Sequence, residues 1–223
     1  MKRFWRHSWV VLRRDLVVER RAAEVVGVIG PLAAIAMFVV PLAVDTVAVA
    51  LADVGPPVFW LVAYLIGMQI ALRSGASEST AQRRHLALSG VDPFARLVGK
   101  SASAAVLLGA TVMVTAPLTI LLYGIEVDRW WRMIPALALF VVTLAIVTTM
   151  AGEITAGISG RTVLAPLLVA PLSVPLLVGG NAAWISVVRG ESTLTGTLVL
   201  VVSALAAVMT MAIGARSLEE ATT

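Results

Sequence analysis

Residues 100–126 read KSASAAVLLGATVMVTAPLTILLYGIE. Between Lys100 and Glu126 lie 25 residues without a formal charge. A helix rises 1.5 Å per residue, so ~20 apolar residues cross the ~30 Å of a bilayer's hydrocarbon. The stretch therefore predicts one transmembrane helix over 101–125. Working outward, five further charge-free runs occupy 25–44, 54–72, 133–152, 162–188 and 192–215, none shorter than 19 residues. The fourth span is read to about 157 and the fifth as 162–184. The predicted class is an all-α polytopic membrane protein with six transmembrane helices in one membrane domain.

The basic residues fall on alternate gaps. Lys2, Arg3, Arg6, Arg13, Arg14, Arg20 and Arg21 precede the first span, and Arg73, Arg83, Arg84, Arg96 and Lys100 follow the second. Arg161 follows the fourth and Arg216 the sixth. The other side holds only Arg129, Arg132 and Arg189 out of 17 basic residues. Basic flanks stay in the cytoplasm, which predicts both termini inside.

Charged residues make up 13% of the 223, against about 25% for a soluble domain. That leaves no room for a soluble catalytic domain. The basic balance is explained by anionic lipid at the cytoplasmic ends and does not call for nucleic acid. Cysteine is absent, which excludes disulfides, thiolate metal sites and covalent heme attachment through C-x-x-C-H. Ala50-Leu51-Ala52 looks like a signal-peptide cleavage site. The apolar run before it has 20 residues, against about 7–15 for a signal peptide, so no cleavage is expected.

Residues 1–23 predict an amphipathic interfacial helix. Trp5, Trp9, Leu12 and Leu16 recur at helical spacing, with Arg6, Arg13 and Arg20 on another face. Such a helix suits a membrane anchor and equally an elbow contacting a cytoplasmic partner. Residues 73–100 form the longest polar stretch. Within it Glu78 to Leu88 predicts a short helix, Ser89-Gly90 a stop, and Asp92-Pro93 the start of the helix that becomes the third span. A short helix across a cytoplasmic loop fits a coupling element, and fits an ordinary loop as well. The fifth run carries Pro166, Pro171 and Pro175, which predicts a kinked or interrupted helix facing the bundle interior or a subunit interface.

Few residues carry chemistry. Gly99-Lys100-Ser101 resembles the end of a phosphate-binding loop, but the required earlier glycine is Phe94. Lys100 reads instead as an anchor at the end of the third span. Trp130-Trp131 and Trp184 read as an interfacial aromatic belt. His7 and His85 have no carboxylate or second histidine placed to form a metal site. Glu153 is the acid closest to a span. Intramembrane acids are functional candidates, while a reach to the interface toward Arg161 is the simpler expectation. Nothing here builds an enzyme site, and no motif binds a cofactor.

Several segments together resemble the CcmB family, the permease subunit of the cytochrome c maturation heme exporter. They are Arg14-Asp15-Leu16 with Glu19-Arg20-Arg21, Phe38-Val39-Val40-Pro41-Leu42, Leu86-Ala87-Leu88-Ser89-Gly90-Val91-Asp92, and Leu97-Val98-Gly99-Lys100. Gly157-Ile158-Ser159-Gly160-Arg161 with the proline-rich fifth run completes the set. The loop before the leucines is poorer in acids than the family pattern. The resemblance implies an ABC-2-type permease acting as a homodimer on two copies of a cytoplasmic ABC ATPase, in the bacterial cytoplasmic (inner) membrane. ATP would then sit on the partner, and heme would be cargo of a complex that also holds a heme-handling membrane subunit, a small membrane subunit and a heme chaperone. On this reading Glu78, Arg83, Arg84 and His85 contact the motor, and Pro166, Pro171 and Pro175 shape the moving helix. A permease for a lipid, glycan or drug, and a scaffold that remodels a partner without moving solute, are the rival readings.

Overall fold

The computed structural model describes residues 2–22, 25–43, 50–76, 92–155 and 161–220. Among them are seven α-helices and no strand. They are α1 (Lys2–Ala22), α2 (Gly30–Ala43), α3 (Leu51–Ala76), α4 (Pro93–Leu122), α5 (Ile134–Ile154), α6 (Arg161–Val188) and α7 (Leu194–Glu220). A π turn, Val25–Ile29, leads into α2, and a 3-10 turn, Trp130–Met133, into α5.

Five helices are long and apolar enough to cross a membrane, over Leu51–Ile70, Phe94–Leu122, Trp130–Ile154, Val163–Val188 and Leu194–Gly214. In the first charge-free run the described residues form a shorter apolar helix, Gly27–Ala43, and residues 23–24 and 44–49 on either side lie outside the description. Pro31 is the second residue of α2 and has no N–H to give to the carbonyl four residues back, so the backbone before it winds as the looser π form.

Asp92 caps α4 as its sequence implies: its side chain accepts from the Phe94 N–H at 2.8 Å, with Pro93 in the first turn. From α2 onward successive helices alternate in direction, so one end of the bundle gathers the start of α4, the close of α5 and the start of α6. That end is the basic end below.

α5 is the hub, packed against α3, α4, α6 and α7. It is apolar all round, which a helix can be only where protein or lipid covers every face. Phe140, Leu144 and Ala145 are fully buried on it, and Thr143 and Thr148 return their hydroxyl protons to carbonyls four residues back at 2.7 Å. Buried polar side chains thus leave no unmet hydrogen bond at those two positions. Small residues set the closest approaches. Gly196 of α7 lies where a Cβ would stand 2.5 Å from the Ala183 backbone nitrogen of α6. Close helix packing in membranes relies on such residues.

One expectation is corrected. Trp184 is 2% exposed and lies in the core, its ring 4.8 Å from Phe59 and 6.1 Å from Trp60. Trp130 and Trp131, at 62% and 60%, keep the belt reading. The difference is helical phase. Trp184 shares the buried seam Ala165, Val169, Ser173, Leu176, Gly180, Ala183 and Val187 of α6. The prolines fall off that seam, Pro171 and Pro175 exposed and Pro166 half-buried, and α6 runs unbroken through all three. Their missing N–H groups and ring clashes fall on the outer side, where the helix can bend without opening the core.

Candidate coupling site at the basic end

The site begins with helical spacing. Arg96 and Lys100 are four residues apart on α4 and so share a face. That face meets the last turn of α5, where Glu153 stands. Arg96 Nη2 donates to Glu153 Oε2, and Lys100 Nζ donates to Oε1 at 2.5 Å. The side chains of Lys100 and Glu153 are 2% and 8% exposed, and that of Arg96 17%. One carboxylate thus answers two cations away from water.

Taking an ion out of water costs several kcal/mol after relaxation, and a partner offsets that cost only with good geometry. Engaging both carboxylate oxygens supplies that geometry. The arrangement ties α4 to α5 at one point and penalises any motion that separates them. It also sharpens two readings of the sequence. Lys100, near the start of α4, is a buried partner of Glu153. Glu153 meets Arg96 and Lys100 of α4, while Arg161's side chain lies outside the described residues. Gly99, Lys100 and Ser101 are interior to α4, so no phosphate-binding loop is formed there.

α1 joins the same turns. Its stripe Phe4, Ser8, Val11 and Asp15 lies along α4 with both helices running the same way. The rings of Phe4 and Phe94 stack with centroids 5.6 Å apart. Ser8 and Val11 cover Gly99, where a Cβ would stand 2.7 Å from the Ser8 carbonyl oxygen. Ser103 Oγ lies 2.8 Å from the Lys100 carbonyl and 3.4 Å from the Asp15 carboxylate. Its single proton goes to the shorter contact. The tryptophans Trp5 and Trp9 point away from α4 and stay exposed. His7 is half-buried on α1.

Of the residues expected to act, Glu153 is central here, and Arg96 and Lys100 join it without having been singled out for that role. The signal available in the sequence was their four-residue spacing beside an acid in a charge-poor chain. Glu78, Arg83, Arg84 and His85, and the short helix expected around them, lie outside the described residues. Pro166, Pro171 and Pro175 stand on the outer side of α6, away from this cluster. Among the described residues, no group of three or more His, Cys, Asp or Glu could hold a metal ion.

The family model described as CcmB protein matches residues 6–219, nearly the whole chain. No curated protein matches it.

Proposed function

The chain belongs to the CcmB family, the permease component of the CcmABCD heme export system of cytochrome c biogenesis, and on that premise we propose that the Glu153 cluster transmits motor motion into the membrane bundle. Hydrolysis of ATP is the work of CcmA, so this subunit must receive motion and not generate it.

The observation that carries the reading is the position of Arg96 and Lys100, four and eight residues after the Asp92 cap. The polar segment 77–91 runs straight into that cap. Force on Glu78, Arg83, Arg84 or His85 from an ATPase subunit would pass along the chain to Asp92, four residues before the first cation. A helix is stiff over that distance, so α4 moves as a unit and the Glu153 contacts either hold α5 to it or yield. α1, packed on the same turns, follows α4. The basic residues of α1 and of 77–91 support a cytoplasmic position for both termini and for this face. Six spans, counting the shorter α2 as the first, accommodate that topology. A homodimer follows the family's pattern, with the outward apolar face of α6 and its three prolines available to a second copy.

The core of one subunit is filled by Phe59, Trp60, Phe140 and Trp184, which favours remodelling of partners over passage of heme through a single bundle. Heme-handling membrane subunit, small membrane subunit and heme chaperone are the partners this mechanism requires. The experiment is deletion in the native host followed by heme staining of c-type cytochromes. Loss is expected, restored by the wild-type chain and not by Glu153→Gln; undiminished staining in the deletion strain contradicts the role.

A further inference from the structure

α1 presents two stripes side by side. Phe4, Ser8, Val11 and Asp15 rest on α4. One residue on from each stand Trp5, Trp9, Leu12 and Leu16. A helix turns about 100° per residue, so these four form a second stripe roughly a quarter turn from the first. Trp5 and Trp9 are 65% and 63% exposed, and Leu12 and Leu16 are half-buried. The sector beyond is basic. Arg6, Arg13 and Arg20 recur every seven residues, which keeps them close to one line along the helix, and all three are exposed. Among the described side chains of α1 they are the exposed charges, while the acids Asp15 and Glu19 are half-buried.

Charge and depth choose what covers this surface. α1 carries seven basic residues against two acids, so its complement is negative. Indoles beside a line of guanidinium groups match the bilayer edge, where a ring meets acyl chain and an arginine meets phosphate. The place in the fold agrees. The apolar stretch of α4 runs 29 residues, Phe94–Leu122, against the roughly 20 that cross the hydrocarbon. Its charges, Arg96 and Lys100, fall at its start, so the surplus turns stand at the headgroup level of the basic end. α1 is seated on those same turns through Gly99.

We infer that the open side of α1 docks on anionic phospholipid, and that the lipid clamps α1 onto α4. Trp5 and Trp9 enter the acyl boundary, and Arg6, Arg13 and Arg20 meet headgroup phosphates. The phosphates hold α1, α1 holds the turns around Gly99, and those turns carry Arg96 and Lys100. Anionic lipid thereby sets how firmly α4 keeps its contacts with Glu153. This control of the cluster rests on the proposed coupling role, whereas the lipid surface stands on the geometry of α1 alone. A cytoplasmic protein is the rival partner.

The test places the full chain in nanodiscs of phosphatidylcholine, with or without phosphatidylglycerol. Amide hydrogen exchange is followed over 4–20 of α1 and 93–103 of α4. Phosphatidylglycerol should slow exchange in both segments at least about tenfold, since each arginine near an anionic surface adds several-fold. Combining Arg6→Gln, Arg13→Gln and Arg20→Gln changes exposed side chains only, so the chain folds, and the difference between the two lipids should vanish. The chain has no cysteine, so a nitroxide on Leu12→Cys reports alone. It should move from water into lipid when phosphatidylglycerol is present. Equal exchange in the two lipids, a nitroxide in water in both, or protection that appears only on adding the ATPase subunit overturns the inference. Normal cytochrome c maturation in Glu153→Gln instead ends the coupling role and leaves the lipid surface in place.

Discussion

Lys100 of α4 and Glu153 of α5 form a buried ion pair between two helices, with Arg96 completing it on the carboxylate's other oxygen. The three groups are unequal. Removing Glu153 takes away a contact of both cations, whereas removing Lys100 leaves Glu153 with Arg96. Breaking a buried pair costs about 3–5 kcal/mol, because the remaining charge is uncompensated. Glu153→Gln should therefore destabilise the purified protein by roughly that amount, and Lys100→Met by less. A double-mutant cycle on thermal or denaturant unfolding in detergent checks this, with a coupling of about 0.5–3 kcal/mol expected. Additive losses would mean that the pair does not bind the helices together.

Gly99 permits α1 to lie on α4. A Cβ there meets the Ser8 carbonyl oxygen at 2.7 Å and the Val11 Cβ at 2.8 Å, both fixed parts of a helix. Gly99→Val should loosen α1 from α4 and speed tryptic cleavage at Arg13 and Arg14 several-fold, leaving α4 itself in place. An unchanged cleavage rate would show that α1 does not rest on these turns.

The α6–α7 contact makes a sharper steric test. At Gly196 a Cβ would stand 2.5 Å from a backbone nitrogen and 2.7 Å from the Gly179 carbonyl oxygen. Overpacking of this kind costs about 1–3 kcal/mol. Gly196→Ala should lower stability by that amount, and Gly27→Ala, with open space around it, should be near neutral. Unfolding of the two variants side by side measures the difference.

Core and belt tryptophans should separate cleanly. Trp60 and Trp184 are buried in one aromatic cluster, while Trp131 is exposed. Trp184→Ala should cost about 3–5 kcal/mol, the range for a large aromatic removed from a core, and Trp131→Ala far less. Equal losses would place Trp184 at the surface.

The spans of this protein are written in its charge distribution because the bilayer excludes charge wherever a helix crosses it. The Asp92-Pro93 start of α4 is equally local, a side chain answering a backbone two residues away. What the sequence conceals is phase and partner. α5 and α6 are apolar on every side, so periodicity could not tell that Trp184 faces inward or that Pro171 and Pro175 face outward. The Glu153 cluster joins residues 53 and 57 positions apart, a pairing no local rule supplies.

Transmission through the α4–α5 ion pair is the central claim. Its most direct measurement is Glu153→Gln in the reconstituted complex and in cells, with subunit amounts matched to wild type. The account predicts that ATP hydrolysis continues while heme-stained c-type cytochromes fall at least about tenfold, with partial recovery in Glu153→Asp, which keeps the charge. Cytochrome c maturation at the wild-type level in Glu153→Gln, at equal amounts of the subunit, would contradict it.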